Sequence, residues 1–361
     1  MSHYEERLEK DLQKIRSRVA EMGAQVEEGL ANAIRALETG DYKLASTTIL
    51  ADHPINRRMR EIDQLCHAFI AVHLPSAGHL RLLSAVIRAN IAIERIGDYA
   101  VTIARVSGQL PSRPEGRMAN ELARIGNEAK IMLNQSIAAF NNLNPEAARA
   151  TMVMEAEMEF DLDTIYAELM VNSEREKIKN LLAMFIIFTH LKRVADQAKN
   201  LCEETVFAAT GETKAPKVYN ILFLENDNSF LSQMAEAIAA KSFPGSGKYS
   251  SGGLHPANAL NPAMVNFMEG LGFDLGTAKP KQLDLTSHEL AEKHVIVSLG
   301  GAVRDYLPLV PFHTTGVEWS IDVPQAGDGD SLATEQLESI YRQIASEVHN
   351  LMQILRGEDA P

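Results

Sequence analysis

Cysteine is scarce in this chain, with only Cys66 and Cys202 among 361 residues. Two cysteines cannot form the disulfide framework of a small secreted protein, and so low a number is typical of a reducing compartment. No cysteine follows residue 202. Chemistry that needs a thiolate is therefore excluded from the C-terminal stretch beyond it.

Long apolar runs are absent as well. The longest, Leu181–Phe188, is far shorter than the roughly 20 residues that a helix needs to cross a bilayer. The first residues are charged at once (Glu5, Glu6, Arg7), unlike the start of a signal peptide. We therefore expect a soluble, cytoplasmic protein with no direct insertion into a membrane.

Positive charge is in deficit, because 35 Lys and Arg residues face 48 Asp and Glu residues, a formal net charge of −13. This balance argues against nucleic acid as a partner, since nucleic-acid binding usually calls for a basic surface. The length is sufficient for two or three domains, and a hydrophobic content of 45% supports real cores.

Helical periodicity dominates up to about residue 209, and the same plan occurs twice. Overlaying Glu94 on Lys192 and Asp98 on Asp196 gives an offset of 98 residues between the copies. We predict two three-helix repeats, in 1–110 and 117–210, joined by a proline-containing linker. The predicted helices cover residues 4–37, 42–73, 82–104, 118–143, 145–170 and 178–208.

Glu94 and Asp98 are four residues apart and therefore lie on one face of the third predicted helix, with Asn90 one turn before them. Two like charges at this spacing repel by roughly 0.2–0.5 kcal/mol on an exposed helix. A cation should offset the repulsion. The spacing leaves two sources open: Arg95, three residues before Asp98, or a bound metal ion.

The segment Ala89–Ala104, with the sequence IERIGDYAVTIA at its centre, resembles the signature helix of the PhoU family of phosphate-uptake regulators. In that family the acidic pair is a metal-binding motif. The resemblance implies a non-catalytic regulator that forms homodimers and contacts the ATPase of a phosphate ABC transporter or a phosphate sensor histidine kinase. It also implies that these contacts repress phosphate uptake or signalling.

The overlay of the repeats extends the set of candidate metal ligands. In the first repeat, Asp52 and Asn56 lie on the helix before the acidic pair. In the second repeat, Glu155 and Glu159 are the counterparts of Asp52 and Asn56, and Asp196 is the counterpart of Asp98. Oxygen donors without cysteine suit Mg²⁺, Mn²⁺ or iron better than zinc.

The second repeat leaves its own metal site open. Lys192 stands where the first repeat has a carboxylate, and an ammonium group cannot ligate a metal. At this spacing Lys192 is expected to pair with Asp196 instead. The acidic face around Glu155 and Glu159 is equally typical of a solvated surface.

The character of the chain changes after a linker at 210–216. Strand-like apolar runs at 218–224, 294–299 and 316–321 alternate with helical segments that include 231–241 and 332–355. Alternating strands and helices indicate a doubly wound α/β domain with a parallel sheet, at 217–361. The predicted protein is therefore multidomain, with an all-α bundle followed by an α/β domain.

The segment Ile221–Glu236 resembles the active-site loop of low-molecular-weight tyrosine phosphatases and arsenate reductases. In that family a cysteine nucleophile is followed, after five residues, by an arginine that clamps the oxyanion. Here Glu225 and Leu231 hold those two positions, and Val323 holds the position of the general acid. We predict a pseudo-phosphatase that retains the fold without the reaction.

The other polar residues of this degenerate loop, Asn228, Ser229 and Ser232, are candidates either for a structural role or for a retained pocket. Glu225 and Asp227 place negative charge where an anion would bind. Two alternatives to a non-catalytic regulator stay open. One is a phosphatase or arsenate reductase, disfavoured by the missing cysteine and arginine, and the other is a helical scaffold with merely solvated acidic faces.

Overall fold

The computed structural model describes residues 3–110, 112–155, 158, 165, 178–284, 289–290, 292–307, 310–311, 314–323 and 333–357. The chain divides into two compact units, Met1–Lys214 and Ala215–Pro361, and the division falls in the 210–216 linker. No helix in the described ranges is long and apolar enough to span a bilayer.

The N-terminal unit is helical, as predicted. Its helices are α1 (His3–Thr39), α2 (Tyr42–Leu50), α3 (Asp52–Val72), α4 (Ala77–Ser107), α5 (Gly116–Asn142), α6 (residues 145–155) and α7 (Ile178–Thr210). The remainder of the predicted 145–170 helix lies outside the described residues, except for 158 and 165, which are helical.

The prediction of one continuous helix over 42–73 is wrong, because the structure divides this segment into α2 and α3. Pro54 has no N–H for the carbonyl of Leu50, and its ring would clash with that carbonyl in a continuous helix. Ala51 still donates to the carbonyl of Thr47 as α2 ends. Pro54 then falls in the first turn of α3, where a missing N–H has no cost.

The helices bury one stripe each in a shared core, in which α4 packs on α1 and α7, and α5 packs on α1 and α7. Leu30, Ile34, Ile93 and Ile103 are among the fully buried side chains. Burial of one such side chain contributes about 1.5–3 kcal/mol, so the apolar stripes largely determine this arrangement.

The two repeats meet where α1 crosses α5. A Cβ on Gly23 would lie 2.9 Å from Ile137, and a Cβ on Gly126 would lie 3.2 Å from Ile34. Each glycine and its counterpart are 103 residues apart, and so are the two isoleucines. The crossing is therefore made of two equivalent glycine–isoleucine contacts, as expected when two copies of one unit pack about a pseudo-twofold axis.

The C-terminal unit contains β1 (Tyr219–Leu224), α8 (Leu231–Ser242), β2 (Gly247–Gly252), α9 (Pro262–Gly270), β3 (Val295–Ser298), α10 (Val303–Tyr306), β4 (Thr315–Glu318) and α11 (Thr334–Arg356). The four strands are parallel in the order β2-β1-β3-β4, so the predicted parallel sheet is confirmed. The prediction missed β2, since its sequence GKYSSG has no apolar run.

Alternate residues of β1 face opposite layers of this unit. Ile221 and Phe223 pack in the core that α8, α9 and α11 cover, whereas Leu222 and Leu224 pack with the residues of α10 on the other side. β1 lies between β2 and β3, so the connection after β1 leads to the strand on one side and the connection after β2 leads to the strand on the other side. The strand order therefore reverses at the carboxyl end of β1. In open parallel sheets this is where ligands bind, and the loop 225–230 begins there.

The α1–α5 crossing can be tested with two substitutions on the same helix. Gly29→Ala meets nothing within 4 Å and should raise the free energy of unfolding by about 0.5–1 kcal/mol through helix propensity. Gly23→Ala has the same propensity gain but must displace Ile137, and overpacking costs about 1–3 kcal/mol. Urea denaturation should therefore show opposite signs, and equal stabilisation by both would contradict the close crossing.

Candidate functional site

The first candidate site is a group of carboxylates between α3 and α4. Glu94 and Asp98 lie on α4, and Asp52 lies in the first turn of α3. The two helices contact each other at Gly97, where a Cβ would lie at ordinary van der Waals distances, 3.7 Å from Oδ1 of Asp52 and 3.5 Å from Ile55. The structure thus brings together three of the predicted metal ligands.

These carboxylates influence one another. Burial raises the pKa of Asp52, and the charge of Asp98 raises it further. Burial likewise raises the pKa of Glu94, followed by the charges of Asp98 and Asp52. Arg95 acts on the pKa of Glu94 in the opposite sense, although within the described part of the chain no ion pair joins a Lys or Arg to any of the three carboxylates.

Asp52 is the residue of this group whose hydrogen bonding is incomplete. Its Oδ2 accepts a hydrogen bond from Nδ2 of Asn56, whereas its Oδ1 is buried and has no hydrogen-bond partner within the described ranges. An unpaired buried oxygen is costly unless a cation or a donor reaches it. Among the described residues, no group of three or more His, Cys, Asp or Glu side chains is arranged to hold a metal ion, so the metal site stays a prediction.

Asn90, which shares the helix with the acidic pair, has a structural role. Its side chain is fully buried, and its Nδ2 donates to the carbonyl of Met59 and to Oδ1 of Asp63, both at 2.9 Å. These bonds join α4 to α3 one turn away from the three carboxylates. Asn90 therefore fixes the spacing of the two helices.

The second repeat neutralises its carboxylates with lysines. Nζ of Lys192 lies 3.2 Å from Oδ1 of Asp196, the ion pair that the sequence spacing predicts. Nζ of Lys199 lies 2.6 Å from Oε2 of Glu155. The second pair joins two helices, so no spacing along the chain could have indicated it. Glu159 lies outside the described residues.

The second candidate site is the loop between β1 and α8. Here the carboxylate of Glu225 accepts hydrogen bonds from the backbone N–H groups of Phe230 (3.1 Å), Leu231 (3.1 Å) and Ser232 (3.2 Å). The hydroxyl of Ser232 donates a fourth, at 3.0 Å. All four donors lie at the N-terminus of α8, where the helix dipole also favours negative charge.

Burial dominates the electrostatics of this loop. It raises the pKa of Glu225, although the hydrogen bonds from Leu231, Ser232 and Phe230 act in the opposite sense. Burial also raises the pKa of Tyr306, and the charge of Glu225 adds to the effect. The loop is thus a water-poor site with one carboxylate at its centre.

The path of the loop is fixed by Asn228, which is fully buried with φ of 50°. Its Oδ1 accepts from Nε2 of Gln233 and from the N–H of Lys281, and its Nδ2 donates to the hydroxyl of Ser232. Ser229 donates through both its N–H and its hydroxyl to Asp227. The hydrogen-bonding groups of Asn228, Ser229 and Ser232 therefore serve the loop itself.

Gly253 holds the loop from the adjacent strand end. A Cβ at this position would lie 2.7 Å from the carbonyl oxygens of both Glu225 and Asn226. Backbone bonds from His255 to Asn226 and from Ala257 to Asp227 continue the contact. Leu231, at the position of the family's arginine, is 7% exposed and offers no side-chain donor.

The N-terminal unit is thus a pseudo-symmetric pair of helical repeats with a carboxylate group on the first. Residues 19–107 and 122–205 match the model of the PhoU domain. The N-terminal half of the chain accordingly carries two PhoU domains, which confirms the resemblance found in the sequence.

Relatives agree with this assignment. The chain is 29% identical over 205 residues to a Synechocystis protein named phosphate-specific transport system accessory protein PhoU homolog, covering 56% of this chain and 92% of that protein. The crystal structure of PhoU from Pseudomonas aeruginosa is 28% identical with a TM-score of 0.55, covering 56% of this chain and 99% of that one.

The C-terminal unit is similar in fold to solved arsenate reductases. One of them, solved in the phosphate-binding state, is 22% identical with a TM-score of 0.31 and covers 38% of this chain and 99% of that one. At this level the likeness concerns the fold alone.

The raised pKa of Asp52 predicts a pH dependence of stability. Because the folded pKa lies above the unfolded value, a stabilising contribution is present below about pH 3.8 and is lost as pH rises through the folded pKa. When metal ions are removed by a chelator, Asp52→Asn should therefore raise the free energy of unfolding at neutral pH. The expected gain is roughly 0.2–0.5 kcal/mol for each like-charge contact that the substitution removes. Urea denaturation followed by helical circular dichroism would measure this.

Glu155→Gln is the matched control, since Glu155 is the counterpart of Asp52 at an offset of 103 residues. This substitution removes an attractive partner of Lys199 and should lower the free energy of unfolding by up to about 1 kcal/mol. Destabilisation by both substitutions would mean that the Asp52 carboxylate is already balanced within the protein.

Proposed function

We propose that this protein is a non-catalytic regulator of phosphate uptake and phosphate signalling. Its two PhoU domains carry the proposal, because relatives that match them over nearly their whole length are named accessory proteins of phosphate-specific transport. The protein acts through contacts with the ATPase of a phosphate ABC transporter or with a phosphate sensor histidine kinase. It self-associates as a homodimer.

The C-terminal domain takes no part in catalysis under this proposal. Glu225 stands where a cysteine nucleophile would be needed, and Leu231 stands where an arginine would clamp the oxyanion. A carboxylate held by backbone amides is a poor nucleophile, since its lone pairs are already engaged. The domain serves instead as an added interaction module.

The first repeat is the part of the bundle that fits a metal ion. Asp52, Glu94 and Asp98 offer oxygen donors whose negative charges repel one another, and Oδ1 of Asp52 is buried without a hydrogen-bond partner among the described residues. These residues, with Asn56 beside them, would hold a hard cation such as Mg²⁺, Mn²⁺ or iron. The second repeat fits less well, because lysines already balance Glu155 and Asp196.

A metal ion would supply positive charge on an otherwise repulsive face. A chain of net charge −13 repels acidic partners and phosphate. A divalent cation held by Glu94 and Asp98 would cancel their negative charge and let α4 approach an acidic surface on the transporter ATPase or the kinase. Metal binding and partner contact would then be coupled.

Deletion of the gene in its own host tests the regulatory role. In phosphate-replete medium, uptake of radiolabelled phosphate should rise without the protein, because repression is lost, and should return when the full chain is restored. The variant Glu225→Gln, which changes the residue at the position of the family's cysteine nucleophile, should restore repression as well as the original chain does. Unchanged uptake in the deletion strain would contradict the proposal.

Metal analysis of the purified protein tests the site separately. The wild-type protein should retain manganese or iron after dialysis, and Glu94→Gln combined with Asp98→Asn should remove it, since two of the oxygen donors lose their charge. The control combines Glu155→Gln with Asp196→Asn in the second repeat and should retain the metal. Equal metal content in all three proteins would disprove the assignment to the first repeat.

A further inference from the structure

The loop after β1 contains an anion already. Four donors converge on the carboxylate of Glu225: the N–H groups of Phe230, Leu231 and Ser232 and the hydroxyl of Ser232, at 3.0–3.2 Å. Three successive backbone N–H groups that point to one place form a concave anion-binding nest. The carboxylate here is thus bound as a small oxyanion would be bound.

We call these four donors the cradle. Its position does not depend on the carboxylate of Glu225. Asn228, itself in a left-handed backbone conformation, holds the loop by accepting hydrogen bonds from Gln233 and Lys281, and Gly253 allows close backbone contact from the adjacent strand end. None of these contacts uses the Glu225 carboxylate. Removal of that carboxylate should therefore leave the donors in place and facing one another.

We propose that Glu225 is an intramolecular ligand that fills an oxyanion site of this domain and keeps it closed to free phosphate-like anions. The site itself is intact in its backbone donors, and the side chain of the residue at the end of β1 decides whether it is open. The site would take a small oxyanion such as inorganic phosphate or sulfate, because its four donors already converge on the two oxygens of a carboxylate.

The bound carboxylate of Glu225 makes the C-terminal domain of the wild-type protein insensitive to phosphate. A free anion would have to displace a tethered carboxylate, whose effective concentration at the cradle is very high. It would also meet the charge of Glu225 and of Asp227 nearby. Any phosphate response of the whole protein would then arise elsewhere than in this loop.

Titration calorimetry with inorganic phosphate tests the proposal on the full-length, chelator-treated protein. Glu225→Ala opens the cradle and should bind phosphate about tenfold or more tightly than the wild type, the gain expected from freeing a helix N-terminus and its donors. Glu225→Gln removes the same charge but fills the cradle, and should gain little. Asp227→Asn removes one charge from the same loop without opening the cradle, and should also gain little.

The outcomes separate occupancy from charge. A gain with alanine alone supports the intramolecular ligand. Equal gains with alanine and glutamine would show that charge alone excludes the anion, and would overturn the proposal. Binding by the wild type as tight as by the alanine variant, or no binding by a folded alanine variant, would overturn it too.

The wild-type protein gives a second test if Glu225→Ala does not fold. In nuclear magnetic resonance spectra with selectively labelled Phe, Leu and Ser, the amide protons of Phe230, Leu231 and Ser232 should follow the titration of the Glu225 carboxyl as pH changes. The amide of Ser229, which donates to Asp227, should not follow that curve. Flat resonances for residues 230–232 through the carboxyl titration would refute the bound carboxylate.

Discussion

A carboxylate withdrawn from water must be balanced by positive charge or by hydrogen-bond donors, and this requirement governs both units of the protein. The chain meets it in two ways. Lysines balance Asp196 and Glu155 in the second repeat, and backbone amides balance Glu225 at the end of β1. Asp52 in the first repeat meets it only in part, since its buried Oδ1 has no hydrogen-bond partner in the part of the chain that the structure describes. This incomplete balance distinguishes Asp52 from Glu155, Asp196 and Glu225.

The two repeats show how one architecture accommodates different chemistry. Their contacts at Gly23 and Gly126 are equivalent, so the cores have kept the pseudo-symmetry of a duplicated unit. The acidic faces have not kept it, since Lys192 replaces the counterpart of Glu94. Packing therefore constrains the buried positions at the α1–α5 crossing. The face of α4 with Glu94 and the face of α7 with Lys192 lie outside that crossing, and their charges differ.

Much of the fold was predictable because long helices and buried strands have clear periodic signals. The sequence indicated the ends of α1 and α8 to within a few residues and the parallel sheet by alternation. The continuous apolar stripe hid the interruption before Pro54, although the proline itself is a helix-breaking signal. It missed β2 because that strand is defined by backbone pairing with β1, and its side chains carry no apolar pattern.

The candidate sites were predictable only as far as side-chain identity reaches. The spacing of Glu94 and Asp98 and the pair Lys192–Asp196 could be read from the chain, since each lies within one helix. The approach of Asp52 across Gly97 and the pair Lys199–Glu155 depend on tertiary packing. The amides that bind Glu225 leave no mark in the sequence at all, because every residue except proline carries one.

Backbone amides at the N-terminus of α8 are present whichever side chain stands at position 225. The curvature of this loop depends on residues such as Asn228 and Gly253 and not on the side chain at position 225. A chain with a small residue at position 225 would keep the same curvature, and its amides would then be open to an anion from solution.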